Sequence, residues 1–119
     1  MKELFEELRQ RLLEVSDLHC ANALLSWDQT TYMPPGGAPA RGRQMATLSR
    51  IAHERFTSPA LGRLLDQLEA AAESLPYDSD DAALLRVTRR EYEQAIRVPG
   101  SFVSELSEHA AGCYQAWTV

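Results

Sequence analysis

Two short stretches hold residue types that could bind a metal at helical spacing. His53-Glu-Arg-Phe-Thr57 begins like the zinc motif H-E-x-x-H. That motif needs two histidines four apart, so both imidazoles leave one helical face toward the ion, and its glutamate activates the metal-bound water. Thr57 stands where the second histidine belongs, and a threonine hydroxyl is a poor replacement. The pattern therefore predicts an exposed His-Glu pair beside Phe56. Glu105-Leu-Ser-Glu-His109 approaches the inverted pattern H-x-x-E-H but opens on a glutamate. Glu105, His109 and Cys113 still share a face at four-residue steps, and all three residue types bind zinc. His19 and Cys20 are neighbours, which point about 100° apart on a helix and rarely chelate one ion. The sequence contains no Glu-x-x-His pair, no G-x-S-x-G elbow, no Gly-rich phosphate loop and no C-x-x-C. No complete catalytic or metal constellation is present, so no catalytic or metal-ligating residue is assigned.

Ser26-Trp-Asp-Gln-Thr-Thr-Tyr-Met-Pro-Pro-Gly-Gly37 places a large apolar ring beside a carboxylate just before a breaker cluster. The residue types predict that the Trp27 indole seals the end of a helix against the core. Asp28 is expected to accept hydrogen bonds from the amides of Gln29, Thr30 or Thr31, or to pair with Arg41 or Arg43 across the turn.

The elements that must position these residues are helical. Leu4, Leu8, Leu12, Val15, Leu18, Ala21 and Leu25 form one stripe on a long first helix, with Glu7 and Arg11 paired on its wetter side. The prolines of Met33-Pro-Pro-Gly-Gly-Ala-Pro39 break it, and Pro39 suits the first turn of a second helix carrying Met45, Leu48, Ile51, Ala52 and Phe56. Ser58-Pro59 caps a third helix with Leu61, Leu65, Leu68, Ala72 and Leu75 inward, which Pro76 is expected to stop. Asp78-Ser-Asp-Asp81 opens a fourth, whose later arginines suit the helix dipole. After Val98-Pro99-Gly100-Ser101, a fifth helix is expected to run to the last residue with Phe102, Leu106, Ala110, Cys113 and Trp117 as its apolar face. No alternating strand pattern or internal repeat occurs. The expected fold is all-α, about five amphipathic helices in a bundle or antiparallel hairpins, within a single segment spanning 1–119.

Length and charge narrow the function classes. A 119-residue chain favours one domain with one core. A net charge of -5, with the arginines dispersed among acids, argues against nucleic acid as a partner. No apolar run approaches the roughly 18 residues of a membrane span. Met1-Lys-Glu-Leu-Phe lacks the apolar core of a signal peptide, which makes a cytoplasmic location the expectation. Cys20 and Cys113 make no disulfide framework and are expected to be reduced, packed thiols.

The order of features resembles the N-terminal region of the carboxypeptidase Taq family of zinc metallocarboxypeptidases. Trp27-Asp28-Gln29, Thr31, Met33-Pro34, Arg41 and Gln44 carry the resemblance, which extends over nearly the whole chain. Leu48-Ser-Arg-Ile-Ala-His-Glu-Arg55, Ser58-Pro-Ala-Leu-Gly62, Val98-Pro99 and Trp117 agree in order and spacing. The resemblance implies a helical fold, homodimers and release of C-terminal residues from peptides by means of zinc or another divalent metal. It also implies that Trp27, Asp28, Gln29, Met33, Pro34, Arg41 and Gln44 are structural or line the groove over which the N-terminal helices form a wall. The family's H-E-x-x-H helix and glutamate ligand lie outside this region, so no cofactor is expected on this chain, and His53-Glu54 does not correspond to them.

The leading expectation is an N-terminal helical part of a metallocarboxypeptidase, inactive alone. Its partners would be the remainder of the enzyme, a peptide substrate in the full-length protein, and itself, as a dimer or larger assembly through exposed apolar faces. The alternative is a free-standing helical interaction or oligomerisation module. A third reading makes His109 and Cys113 part of a metal-sensing site.

Overall fold

A computed structural model describes residues 1–118, which fold into five α-helices: α1 (Lys2–Thr31), α2 (Ala38–Phe56), α3 (Pro59–Ala71), α4 (Asp80–Ala95) and α5 (Gly100–Thr118). One 3₁₀ turn, Pro35–Gly37, joins α1 to α2, and no strand occurs among the described residues. The all-α expectation holds. Val119, to which the fifth helix was expected to run, lies outside the described residues.

The starts of α3 and α4 follow from side chains that satisfy free amides. Ser58 Oγ accepts from the Ala60 amide at 3.2 Å with Pro59 beside it, and Ser79 Oγ accepts from the Ala82 amide at 3.2 Å. Asp80 and Asp81 then sit in the first turn of α4, where negative charge is favoured. α3 ends at Ala71, five residues short of Pro76; a turn covers the interval, in which the Leu75 amide donates to the Ala72 carbonyl at 3.0 Å. Leu75 still packs on the core from that turn.

The helices pair as antiparallel hairpins. Along α1 and α2, Asp28 meets Arg41, Asn22 meets Ser49 and Glu14 meets Arg55, so steps down one helix match steps up the other. The same order links α2 to α5, through Gly42 with Ala111 and Ser49 with Ser107. α3 and α4 are matched through Gly62 with Tyr92, and through Asp66 and Glu69 with Arg89. Burial lowers the Arg89 pKa, but its hydrogen bonds to Glu69 and Asp66 outweigh that and raise it overall, so the guanidinium stays charged.

One apolar core lies at one end of the molecule. Phe5 and Leu8 from α1 pack with Leu61, Leu64, Leu65 and Leu68 from α3 and Leu85 from α4. The distal half of α1 leaves this core and packs on α2 instead. The molecule is consequently elongated, 57 × 25 × 20 Å, with a radius of gyration of 17.5 Å. A compact chain of this length would have about 13.5 Å. Its accessible surface is 7806 Å², against about 6,450 Å² for a compact monomer of this mass.

The fifth helix reverses one expectation. Its most buried residue is Ala111, at 7 % exposure, while Phe102, Leu106 and Trp117 are 52, 55 and 85 % exposed and Ala110 and Cys113 are exposed as well. The large apolar stripe read as the core face therefore points away from α2. The reason is steric. α2 presents Gly42 and Ser49 to α5, and a methyl placed on Gly42 would already lie 3.4 Å from the Ala111 methyl. Only small side chains fit where the two backbones approach so closely, so Ser107 and Ala111 face inward there, while Phe102, Leu106 and Trp117 face out.

Candidate functional site at the corner between the first two helices

The residues that carry the distinctive sequence pattern converge where α1 ends and α2 begins. Trp27, Asp28 and Gln29 lie in the last turns of α1, Met33 and Pro34 in the connection, and Arg41 and Gln44 on the first turns of α2. α1 stops because Pro34 and Pro35 follow it, and both the Tyr32 and Met33 amides close on the Asp28 carbonyl at 3.0 Å. Met33 folds across the turn, with its Cγ 3.3 Å from where a β-carbon on Gly37 would stand.

Arg41 ties this corner together. Its Nη1 donates to the Leu25 carbonyl at 2.8 Å and lies 2.9 Å from Asp28 Oδ2, while its Nε donates to Gln44 Oε1 at 3.3 Å. Of the two acceptor roles expected for Asp28, the structure selects the pairing with Arg41; the amides of the last turn are bonded along the helix. Guanidinium does not release its proton at neutral pH, so this pair cannot shuttle protons by itself. Its chemistry is positional: it fixes the angle between α1 and α2.

Trp27 departs from the sealing role expected of it. Trp27 is 58 % exposed, and its indole meets the Tyr32 ring edge-on, with centroids 5.7 Å apart. Thr30 and Thr31 both donate their hydroxyls to the Trp27 carbonyl at 2.8 Å, which secures its backbone while leaving the ring outside. Gln29 is the buried member of the trio, at 9 % exposure, and its Nε2 has no hydrogen-bond partner. The corner thus presents two aromatic rings to solvent over an Asp28–Arg41–Gln44 network.

The other candidates separate. His53 is half-buried rather than exposed; its Nε2 donates to the Val98 carbonyl at 2.6 Å and pins α2 to the connection before α5. Thr57, at the position a second ligand would need, donates its hydroxyl to the His53 carbonyl at 2.8 Å and closes its own helix. Glu54 pairs with Arg50 at 3.0 Å. Cys20 and Cys113 are free, as expected, but both are exposed rather than packed. Cys113 Sγ stands 3.4 Å from His109 Nε2. Glu105 does not join them in a group of three ligands.

A model of the carboxypeptidase Taq metallopeptidase family matches residues 7–119. The chain belongs to that family. It is 33 % identical over 113 residues to Thermostable carboxypeptidase 1 of Thermus thermophilus, covering 95 % of this chain and 22 % of that protein. It is 28 % identical over 117 residues to Carboxypeptidase 1 of Bacillus subtilis, covering 98 % of this chain and again 22 % of the relative. The chain thus corresponds to the N-terminal part, about a fifth of the length, of the curated relatives it matches. No solved structure is a significant match.

The metal of a metallocarboxypeptidase finds no seat among the described residues. A catalytic zinc takes three protein ligands and keeps one position open. The described residues contain no group of three His, Cys, Asp or Glu side chains able to hold an ion. Of the histidines, His53 on α2 is held by the Val98 backbone carbonyl, while His19 lies on α1 and His109 on α5. No step of metal chemistry is therefore assigned to these residues. No described helix is long and apolar enough to cross a membrane.

The Arg41 bond to the Leu25 carbonyl had no signal in the sequence, since nothing in the residue spacing marks which helical carbonyl will accept a second donor from a side chain. The same is true of the polar column in which Asn22 Nδ2 donates to Ser49 Oγ at 3.0 Å and Ser49 donates to Ser107 Oγ at 3.4 Å.

Proposed function

We propose that this chain is the N-terminal helical part of a metal-dependent carboxypeptidase that releases C-terminal residues from peptides, and that it is inactive alone. The zinc or other divalent metal and the catalytic glutamate would be held by the remainder of the enzyme. The carrying observation is the α1–α2 corner, where the residues of the family pattern come together and Asp28, Arg41 and Gln44 among them form one network beside the exposed Trp27 and Tyr32 rings. In the whole enzyme this corner would form part of the groove wall, with Arg41 and Asp28 holding α1 and α2 at the angle that presents those rings to a peptide. As one helical segment, residues 1–119 would be scaffold, in a protein expected in the cytoplasm.

A chimera tests this reading. The corresponding segment of the Thermus thermophilus carboxypeptidase is replaced by residues 7–119, and release of the C-terminal residue from a blocked dipeptide is measured with cobalt or zinc present. Activity in the chimera, reduced when Arg41 is replaced by alanine, supports the role. A soluble, metal-loaded chimera with no activity opposes it.

The outward stripe on α5 also supports an interaction role. Phe102, Leu106 and Trp117 form an apolar face that the described residues do not cover, and such faces drive association. In the whole enzyme the remaining helices would cover it; in the isolated chain a second copy would. The free-standing interaction module draws on this same face and differs only in needing no further enzyme.

A further inference from the structure

One pair of side chains is used neither by the fold nor by the corner described above. His109 and Cys113 stand one turn apart on the outer side of α5, both exposed, with Nε2 and Sγ 3.4 Å from each other. A tetrahedral zinc with a Zn–S bond of about 2.3 Å and a Zn–N bond of about 2.05 Å holds its sulfur and nitrogen about 3.6 Å apart. The pair already lies within about 0.2 Å of that bite, so a shared ion requires no backbone movement. The two atoms are also the right ones, because a thiolate sulfur and a neutral imidazole nitrogen are the donors that thiophilic divalent cations select.

The surroundings favour a cation. α5 carries Glu105 and Glu108 and no lysine or arginine, and the whole chain has a net charge of -5. The site is open, so water can complete the coordination that two protein ligands leave unfilled. We propose that His109 and Cys113 form a two-ligand chelate for a thiophilic divalent cation such as zinc or cobalt(II). Binding releases the Cys113 thiol proton to solvent and leaves His109 neutral, with its proton on Nδ1. Two protein ligands are one fewer than a catalytic zinc takes, so no catalysis is assigned to the chelate. It rests on geometry within α5 and stands whether or not the proposed carboxypeptidase role is correct.

The experiment titrates cobalt(II) into the purified chain under a non-thiol reductant and follows the thiolate-to-cobalt charge-transfer absorption in the near ultraviolet. The expected result is one equivalent bound, with the band abolished by Cys113→Ser and unchanged by Cys20→Ser. His109→Ala should weaken binding by at least about tenfold, as loss of one of two protein donors demands. In parallel, zinc should slow alkylation of Cys113 in the unaltered chain while leaving Cys20 labelling at its original rate, a readout that needs no variant. A band that survives Cys113→Ser, an affinity indifferent to His109→Ala, or equal zinc protection of both cysteines overturns the proposal.

Discussion

Replacing Leu106 and Ala111 in parallel separates the two possible orientations of α5 by energy. Leu106 belongs to the large apolar stripe and is 55 % exposed, whereas Ala111, on the opposite face, is 7 % exposed. Fully burying a leucine is worth about 1.5–3 kcal/mol. With more than half of that surface in water, Leu106→Gln should cost no more than about 1 kcal/mol. Were the stripe a packed core, the same change would cost at least the 2–5 kcal/mol of a buried large-to-small replacement. Ala111→Leu is the complementary change. It adds three carbons where the Gly42 backbone already approaches, since a β-carbon on Gly42 would sit 3.4 Å from the Ala111 methyl. Overpacking there should cost about 1–3 kcal/mol, and because alanine and leucine differ little in helix propensity the loss reports packing. Urea unfolding followed by far-ultraviolet dichroism, at a concentration low enough to keep association out of the baseline, measures both. With a slope of about 2 kcal/mol per molar urea, a 2 kcal/mol loss moves the midpoint by about 1 M. Ala111→Leu is expected to shift the midpoint more than Leu106→Gln. The reverse order would refute the orientation of α5 and everything built on its outward face.

Further expectations follow from the same contacts. Trp27→Ala should change stability by less than about 1 kcal/mol in the same urea assay, because the residue is already 58 % exposed and its ring meets the exposed Tyr32; unfolding of that variant would restore the sealing role. Arg41→Ala should cost about 1.5–3 kcal/mol, since it removes a charged donor from the Leu25 carbonyl and leaves unpaired an Asp28 carboxylate that is 39 % exposed. A cost equal to that of an exposed salt bridge would show that the Leu25 bond contributes nothing. Gly62→Ala gains up to about 1 kcal/mol of helix propensity, yet its new methyl would meet the Tyr92 hydroxyl at 2.5 Å. Net destabilisation, relieved by Tyr92→Phe, is the expected outcome, and a more stable Gly62→Ala chain would contradict the α3–α4 contact. Light scattering of the isolated chain at high concentration should give a mass above 13.3 kDa, reduced toward it by Leu106→Gln with Trp117→Gln; a compact monomer would count against association through α5.

The helices and their caps were legible because their signals are local. Ser58-Pro59 and Ser79 each satisfy amides within three residues, so a short window of sequence contains both partners. The core of α3 was legible for a similar reason: Leu61, Leu65 and Leu68 are large, periodic and surrounded by polar residues. α5 misled because periodicity reports that an apolar face exists and is silent about what covers it. Where α5 comes closest to α2 its inner face is Ser107 and Ala111, which carry little apolar area and became recognisable only against Gly42 and Ser49. Trp27 misled in the same way, as ring size predicts burial only where a neighbouring element receives the ring. Arg41 was among the alternatives the sequence offered Asp28, because a breaker cluster between two helices leaves few charged partners across the turn; which alternative is used follows only from the packing of α1 on α2. His53 was read as exposed since its partner, the Val98 carbonyl, lies 45 positions away and is a backbone atom without residue identity.

The central claim is that these residues are scaffold for a carboxypeptidase whose chemistry is supplied elsewhere. Incubating the purified chain with a blocked dipeptide and added zinc or cobalt, beside a mock purification, tests it most directly. No release of the C-terminal residue above the mock is the predicted result; metal-dependent release by the chain alone would contradict it.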